Sequence, residues 1–239
     1  MYIGCNHVGR SYLGGIMSSY DREFTDQEVL IETGIADIVP CVMGDVSDAY
    51  KILKERISKL NSNDFPLVAT EVFNTVCDYF GDYSNIDSRM DNYPDQDSIA
   101  YDHVEMGKVS NLKGQNSAMC VERAMLAQNL LINLGYKSYY KASEIIKNGK
   151  SEVHAYNLLD INDKYYLFDA TIPTEINGEM TPLITELPKE VFEEITSPLC
   201  KEGYSVLVEH YNPLRKEDVH ITYDANRDKI LNNTINKML

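Results

Sequence analysis

The sequence predicts an α+β fold in which helices come first and one apolar, cysteine-bearing helix then packs against an antiparallel sheet. Three observations carry this. Apolar residues recur at helical spacing over 45–60 and 65–80, and residues 118–134 are apolar on nearly every side. From Tyr136 the chain turns to short runs rich in tyrosine, valine, leucine and isoleucine. Turn pairs separate those runs: Asn148-Gly149, Asn162-Asp163 and Asn177-Gly178.

Element by element, residues 1–44 mix glycine, tyrosine and short apolar runs without a clear period, and read as irregular with room for one strand. Over Asp45–Leu60, Val46, Tyr50, Leu53 and Ile57 share one helical face, with Asp45 or Ser47 as cap. Phe65–Phe80 is a second helix, with Pro66 in its first turn and Val68, Val72, Val76 and Phe80 on its inner face. Between Asp78 and Glu105 eight acidic residues stand against one arginine, so the stretch reads as a loop or linker. Ser117 is the expected N-cap of the apolar helix, which puts Cys120 in its first turn, and Gly135 ends it. Strands follow at 136–146, 152–160 and 164–171. A short helix over Leu187–Thr196 comes after Pro188, and a closing hairpin at 204–210 and 218–223 surrounds Asn212-Pro213. Residues 1–105 are thus expected to form a mainly helical region packed on a core built from residues 106–239.

Composition excludes several classes. A net charge of −15 and a pI near 4.7 repel nucleic acid and anionic membrane alike, so neither is expected as a partner. The five cysteines (Cys5, Cys41, Cys77, Cys120, Cys200) are scattered and form no CxxC, which suits a reducing compartment. No basic patch with a following apolar run opens the chain, and no apolar stretch reaches the ~18 residues of a membrane span. The expectation is a cytoplasmic protein, although export without a signal leaves no trace in sequence. No metal or cofactor is expected either. Asp87, Asp91, Asp95 and Asp97 lack the calcium-loop pattern, and His7, His103, His210 and His220 lack metal-ligand spacing. Gly4, Gly9, Gly14 and Gly15 form no phosphate loop.

The chemistry lies in the order Cys120, His154, Asp169. Taken alone, a cysteine in an apolar helix packs as a small core residue, and a lone histidine or aspartate on a strand has an ordinary structural use. Together they form a possible nucleophile, base and orienting carboxylate. If Asn162-Asp163 is a two-residue turn, 161 faces 164 and 160 faces 165. His154 and Asp169 then project from one face as diagonal neighbours, roughly 7–8 Å apart at the backbone. A helix N-terminus and an imidazolium both favour a thiolate at Cys120. His154 would move the proton and Asp169 would fix the ring's tautomer and orientation. A tetrahedral intermediate needs two donors. The Cys120 backbone N–H is one, and the side chain of Gln115, or less readily Asn116, is the other.

At these residues the sequence resembles the transglutaminase-like superfamily, within the wider papain-like group of cysteine enzymes. The matching residues are Cys120 opening a helix, Leu134-Gly135-Tyr136 after it, His154-Ala155-Tyr156 in a strand, and Asp169-Ala170-Thr171-Ile172-Pro173 at a strand end. They span about residues 110–175. The sequence departs from the family pattern at Ala118, where glycine is usual, and at Val121 and Tyr156, where tryptophan is usual. A papain-type oxyanion glutamine would stand at position 114, which is glycine here, with Gln115 one closer to the cysteine. The resemblance implies thiol acyl chemistry on an amide of a protein or peptide substrate. Hydrolysis through a Cys120 thioester is the first expectation; deamidation or acyl transfer from glutamine, or a non-catalytic binding protein on the same fold, are the alternatives.

Overall fold

A computed structural model describes residues 28–32, 38–42, 45–92, 107–147, 150–176, 179–196, 205–212 and 217–224. The chain runs β1 (Glu28–Glu32), β2 (Ile38–Val42), α1 (Ser47–Ile57), α2 (Phe65–Phe80) and a 3₁₀ helix (Ile86–Asn92). It continues with β3 (Gly107–Lys108), a second 3₁₀ turn (Val109–Leu112), α3 (Cys120–Asn133), β4 (Lys137–Lys147), β5 (Lys150–Ile161) and β6 (Lys164–Ile176). β7 (Glu179–Leu187), α4 (Lys189–Thr196), β8 (Ser205–Asn212) and β9 (Glu217–Asp224) complete it. The fold is α+β, as the sequence predicts.

Six strands form an antiparallel sheet in the order β7-β6-β5-β4-β9-β8, and β1-β2-β3 form a small separate sheet. Residues 28–42 therefore hold a pair of strands where sequence left room for one. The three expected turns at 148–149, 177–178 and 212–213 lie wholly or partly outside the described residues.

α3 lies across β4, β5 and β6, and α2 packs on α3 and reaches β6 and β7. One apolar cluster joins them: Ala49 and Leu53 from α1, Val72, Phe73 and Val76 from α2, Leu126, Leu130 and Leu131 from α3, and Leu159 and Phe168 from the sheet. Residues 1–105, expected as a mainly helical region packed on the core, thus contribute α1 and α2 to it. Every residue of α3 from Val121 to Leu131 is buried, which is why its sequence shows no polar face. Its buried polar groups are paired. The Gln128 amide donates to Ser138 O at 2.7 Å and accepts from Ser138 Oγ at 2.6 Å and from Asn157 Nδ2 at 3.1 Å. Helix and sheet are thereby fixed in register by polar contacts as well as by packing.

Two expected caps differ. α1 starts at Ser47 with Val46, neither Asp45 nor Ser47, at its N-cap position, although the Asp45 carboxylate accepts the Ser47 N–H at 2.9 Å. α3 has Met119, not Ser117, at its N-cap position, and the Glu122 carboxylate accepts the Met119 N–H at 3.0 Å. Ser117 is fully buried, and its hydroxyl has no hydrogen-bond partner among the described residues. A glutamate three residues on supplies the reciprocal half of a capping box without the serine. Among the described residues no helix is long and apolar enough to cross a membrane.

Candidate active site

Cys120 is the first residue of α3, half-buried and free of any disulfide. The first backbone bond of this helix runs from Arg123 N to Met119 O, 3.1 Å, so the N–H groups of residues 120–122 come before the helical ladder begins.

The start of α3 is held by the segment that follows α2. Arg123, 2% exposed, donates from Nε to Ala118 O (3.0 Å) and from Nη2 to Gly81 O (2.6 Å) and Asp82 O (3.1 Å). Its guanidinium lies 4.3 Å from the Tyr83 ring centre and 5.8 Å from that of Phe80. Asn116, with φ 57°, donates its N–H to Phe80 O, accepts the Asn85 N–H on its carbonyl, and accepts the Asp82 N–H on Oδ1, each at 3.0 Å. A few residues on, Arg89 meets Glu122 with Nε and Nη2 both on Oε1, at 2.7 and 2.6 Å. The stretch expected as a loop or linker is, over 81–92, a clamp on the cysteine-bearing helix end.

The sheet supplies the other two residues. Asn162 and Asp163 have φ of 51° and 63°, the left-handed pair of a two-residue hairpin turn. Register follows as the spacing predicts, Ile161 opposite Lys164 and Asp160 opposite Tyr165, continuing to Asn157 opposite Phe168. Beyond Asp169 the pairing of β6 with β7 shifts, resuming at Thr174. Pro173 falls in this bulge, where its missing N–H costs no ladder bond. The bulge lets Thr171 turn back on Asp169, with N–H and hydroxyl both donated to Oδ1, at 2.8 and 2.6 Å. Asp169 Oδ2 is 2.6 Å from His154 Nε2, and Thr171 Oγ1 is 3.2 Å from the same nitrogen. Tyr83 donates its hydroxyl to Thr171 O at 3.2 Å, which joins the 81–92 segment to β6.

Electrostatics follow from burial and partners. Burial opposes the imidazolium of His154, but the Asp169 charge and hydrogen bond, joined by Cys120 sulfur as a further acceptor, outweigh it and hold the ring well above the ordinary imidazole value. Cys77, on α2, is pushed the other way for a nucleophile: burial raises its thiol to about 11, against the attraction of Arg123. Burial likewise raises the Tyr83 phenol, which therefore stays a neutral donor.

Cys120, His154 and Asp169 thus come from α3, β5 and β6 to one neighbourhood. Gln115 is exposed in the turn before α3, its backbone held by a bond from its N–H to Leu112 O (3.0 Å) and by one from the Asn85 side-chain Nδ2 to its carbonyl (3.3 Å). Sequence reasoning missed Tyr83, Arg89, Arg123 and Glu122, and gave Thr171 no role beyond its place in the matching strand end. For Glu122 a signal existed, an acidic residue two positions after the cysteine in a first helical turn.

The α+β chain thus carries a cysteine at the start of α3 and a hydrogen-bonded histidine–aspartate pair on the adjacent strands β5 and β6. Residues 69–191 match the family model of a transglutaminase-like domain. The chain belongs to this transglutaminase-like family, which is associated in general with cysteine peptidase and acyltransferase activity. No curated protein matches the chain.

Proposed function

We propose that this protein is a cysteine-dependent amide or peptide hydrolase acting through a thioester on Cys120, with His154 and Asp169 completing a triad. The observation that carries the reading is the buried His154–Asp169 bond, 2.6 Å long, on a ring whose protonated form is favoured by Cys120 as well as by Asp169. A free thiol gains little from a fixed, carboxylate-braced imidazole unless a proton is to move between them.

In the first step Cys120 gives its proton to His154, and the sulfur attacks the amide carbonyl carbon. The oxyanion accepts hydrogen bonds from the Cys120 backbone N–H, at the positive end of α3, and from the Gln115 amide, which we assign as second donor. Collapse breaks the C–N bond while His154 protonates the departing amine, leaving the thioester. Water then attacks, giving up its proton to His154, and the acid product and free thiol return. The family supports a second reading, in which the acyl group comes from a glutamine side chain and an amine replaces water. The expected substrate is a protein or peptide in either case, and a cytoplasmic location is kept as part of the proposal.

A thiol-reactive activity probe tests the reading. Cys120 should be labelled in preference to the other four cysteines, and His154→Ala should slow that labelling. Equal labelling of all five in the folded protein would favour a binding protein on this fold. A screen of peptide hydrolysis against incorporation of a labelled amine then separates the two reactions.

A further inference from the structure

Thr171 plays no part in the three-residue mechanism, yet it is buried and touches two of the three members. Its hydroxyl has a single proton. Oδ1 of Asp169, 2.6 Å away, only accepts when the carboxylate is ionised, so that proton points at Oδ1. The side of Oγ1 facing His154 Nε2 at 3.2 Å is then a lone pair. Nε2 therefore meets two acceptors, Asp169 Oδ2 and Thr171 Oγ1. A ring nitrogen between two acceptors must itself carry the hydrogen.

We propose that Thr171 is a positioning residue of this site: its hydroxyl locks His154 in the Nε2–H tautomer, so that Nδ1 is the atom that exchanges a proton with Cys120. The assignment rests on the Cys120–His154–Asp169 reading above. In each turnover the S–H bond breaks and an Nδ1–H bond forms; the same hydrogen later passes from Nδ1 to the leaving nitrogen, while Nε2–H is never broken. Thr171 also fixes which carboxylate oxygen faces the ring. Its two bonds to Oδ1 hold the carboxylate plane and leave Oδ2 to the imidazole. Tyr83 anchors Thr171 from behind through the Thr171 carbonyl, and its ring is stacked on Arg123, which spans Gly81, Asp82 and Ala118. Among the described residues, the groups that meet the imidazole include Asp169 and Thr171 from β6, Cys120 from α3, and the Tyr156 ring of its own strand, stacked at 6.4 Å.

Nitrogen-15 NMR of the full chain labelled at histidine tests this directly. In the wild-type protein at alkaline pH, the neutral His154 ring should carry its hydrogen on Nε2, with a strongly deshielded N–H signal from the bond to Asp169. Thr171→Val should move that signal upfield and lower the His154 titration midpoint by about one pH unit, the size expected for losing one hydrogen bond to a charged group. Thr171→Ser, which keeps the hydroxyl, should retain both. Tyr83→Phe should move both in the direction of Thr171→Val by a smaller amount. A wild-type ring with its hydrogen on Nδ1, or a Thr171→Val protein with signal and midpoint unmoved, overturns the proposal. The wild-type spectrum decides the tautomer even if Thr171→Val fails to fold. An unreactive Cys120 with signal and midpoint moved in Thr171→Val would sink the hydrolase reading and uphold the lock; a reactive Cys120 with both unmoved in Thr171→Val would do the reverse.

Discussion

Arg89 and Glu122 face each other across the start of α3 with Nη2 2.6 Å from Oε1, and both side chains are buried, at 6% and 0% exposure. The carboxylate does two jobs at once: Oε1 takes the arginine and Oε2 caps the helix through the Met119 N–H. An unpaired carboxylate two residues after Cys120 would be costly by desolvation and would oppose a thiolate. Arg89→Met should therefore destabilise the fold by about 3–5 kcal/mol. Adding Glu122→Gln should recover a large part of that loss, because the stranded charge is gone. Urea denaturation of the single and double variants, read as a double-mutant cycle, checks this. Equal stability of the two would contradict it.

Gln128→Leu removes the centre of the buried bridge between α3 and the sheet. Ser138 and Asn157 lose partners in a dry interior, so the loss should be about 2–4 kcal/mol although leucine fills nearly the same volume. Thermal or chemical unfolding measures it; a neutral or stabilising outcome would show that these contacts contribute nothing net.

Stability should depend on pH through His154. Its native pKa is raised above the unfolded value by Asp169, despite burial, so the folded state binds the proton more tightly. The contribution is fully present below the unfolded pKa of about 6.5 and is lost as pH rises through the raised native value. The melting temperature of the wild-type protein, less that of His154→Gln, should thus fall with increasing pH across that window. A difference that grows with pH would mean the ring is stabilised neutral.

Gly81 has φ 79°, and a Cβ there would lie 1.8 Å from Asn116 Oδ1. Gly81→Ala pays for a left-handed backbone and also displaces the side chain that accepts the Asp82 N–H. A loss of about 2–4 kcal/mol is expected. Faster amide hydrogen exchange over 81–85 and around Cys120 should accompany it, with β8 and β9 unaffected.

Much of this architecture was written locally in the chain. α2 runs from Phe65 to Phe80 as its apolar spacing and Pro66 indicate, and the β5–β6 turn sits where Asn162-Asp163 puts it. Both depend on neighbours within a few positions. The cap of α3 was misread because Ser117 looks locally suitable, whereas Glu122 is fixed in place by Arg89, 33 residues away. Tyr83 escaped notice for the same reason: it sits in an acidic stretch with no period, and its partner Thr171 is 88 residues distant. The bulge of β6 turns on a shift in pairing with β7, which no single strand encodes.

Arg123 carries the last point. Its guanidinium spends its bonds on the main chain of three residues, two of which, Gly81 and Asp82, lie before residue 106. A fragment beginning at residue 106 would strand that cation in an apolar interior, expose the α2-facing side of the cysteine helix, and lack the tyrosine that braces β6. The smallest excisable unit therefore has to start upstream of Phe65, earlier than the residue-69 edge of the family match.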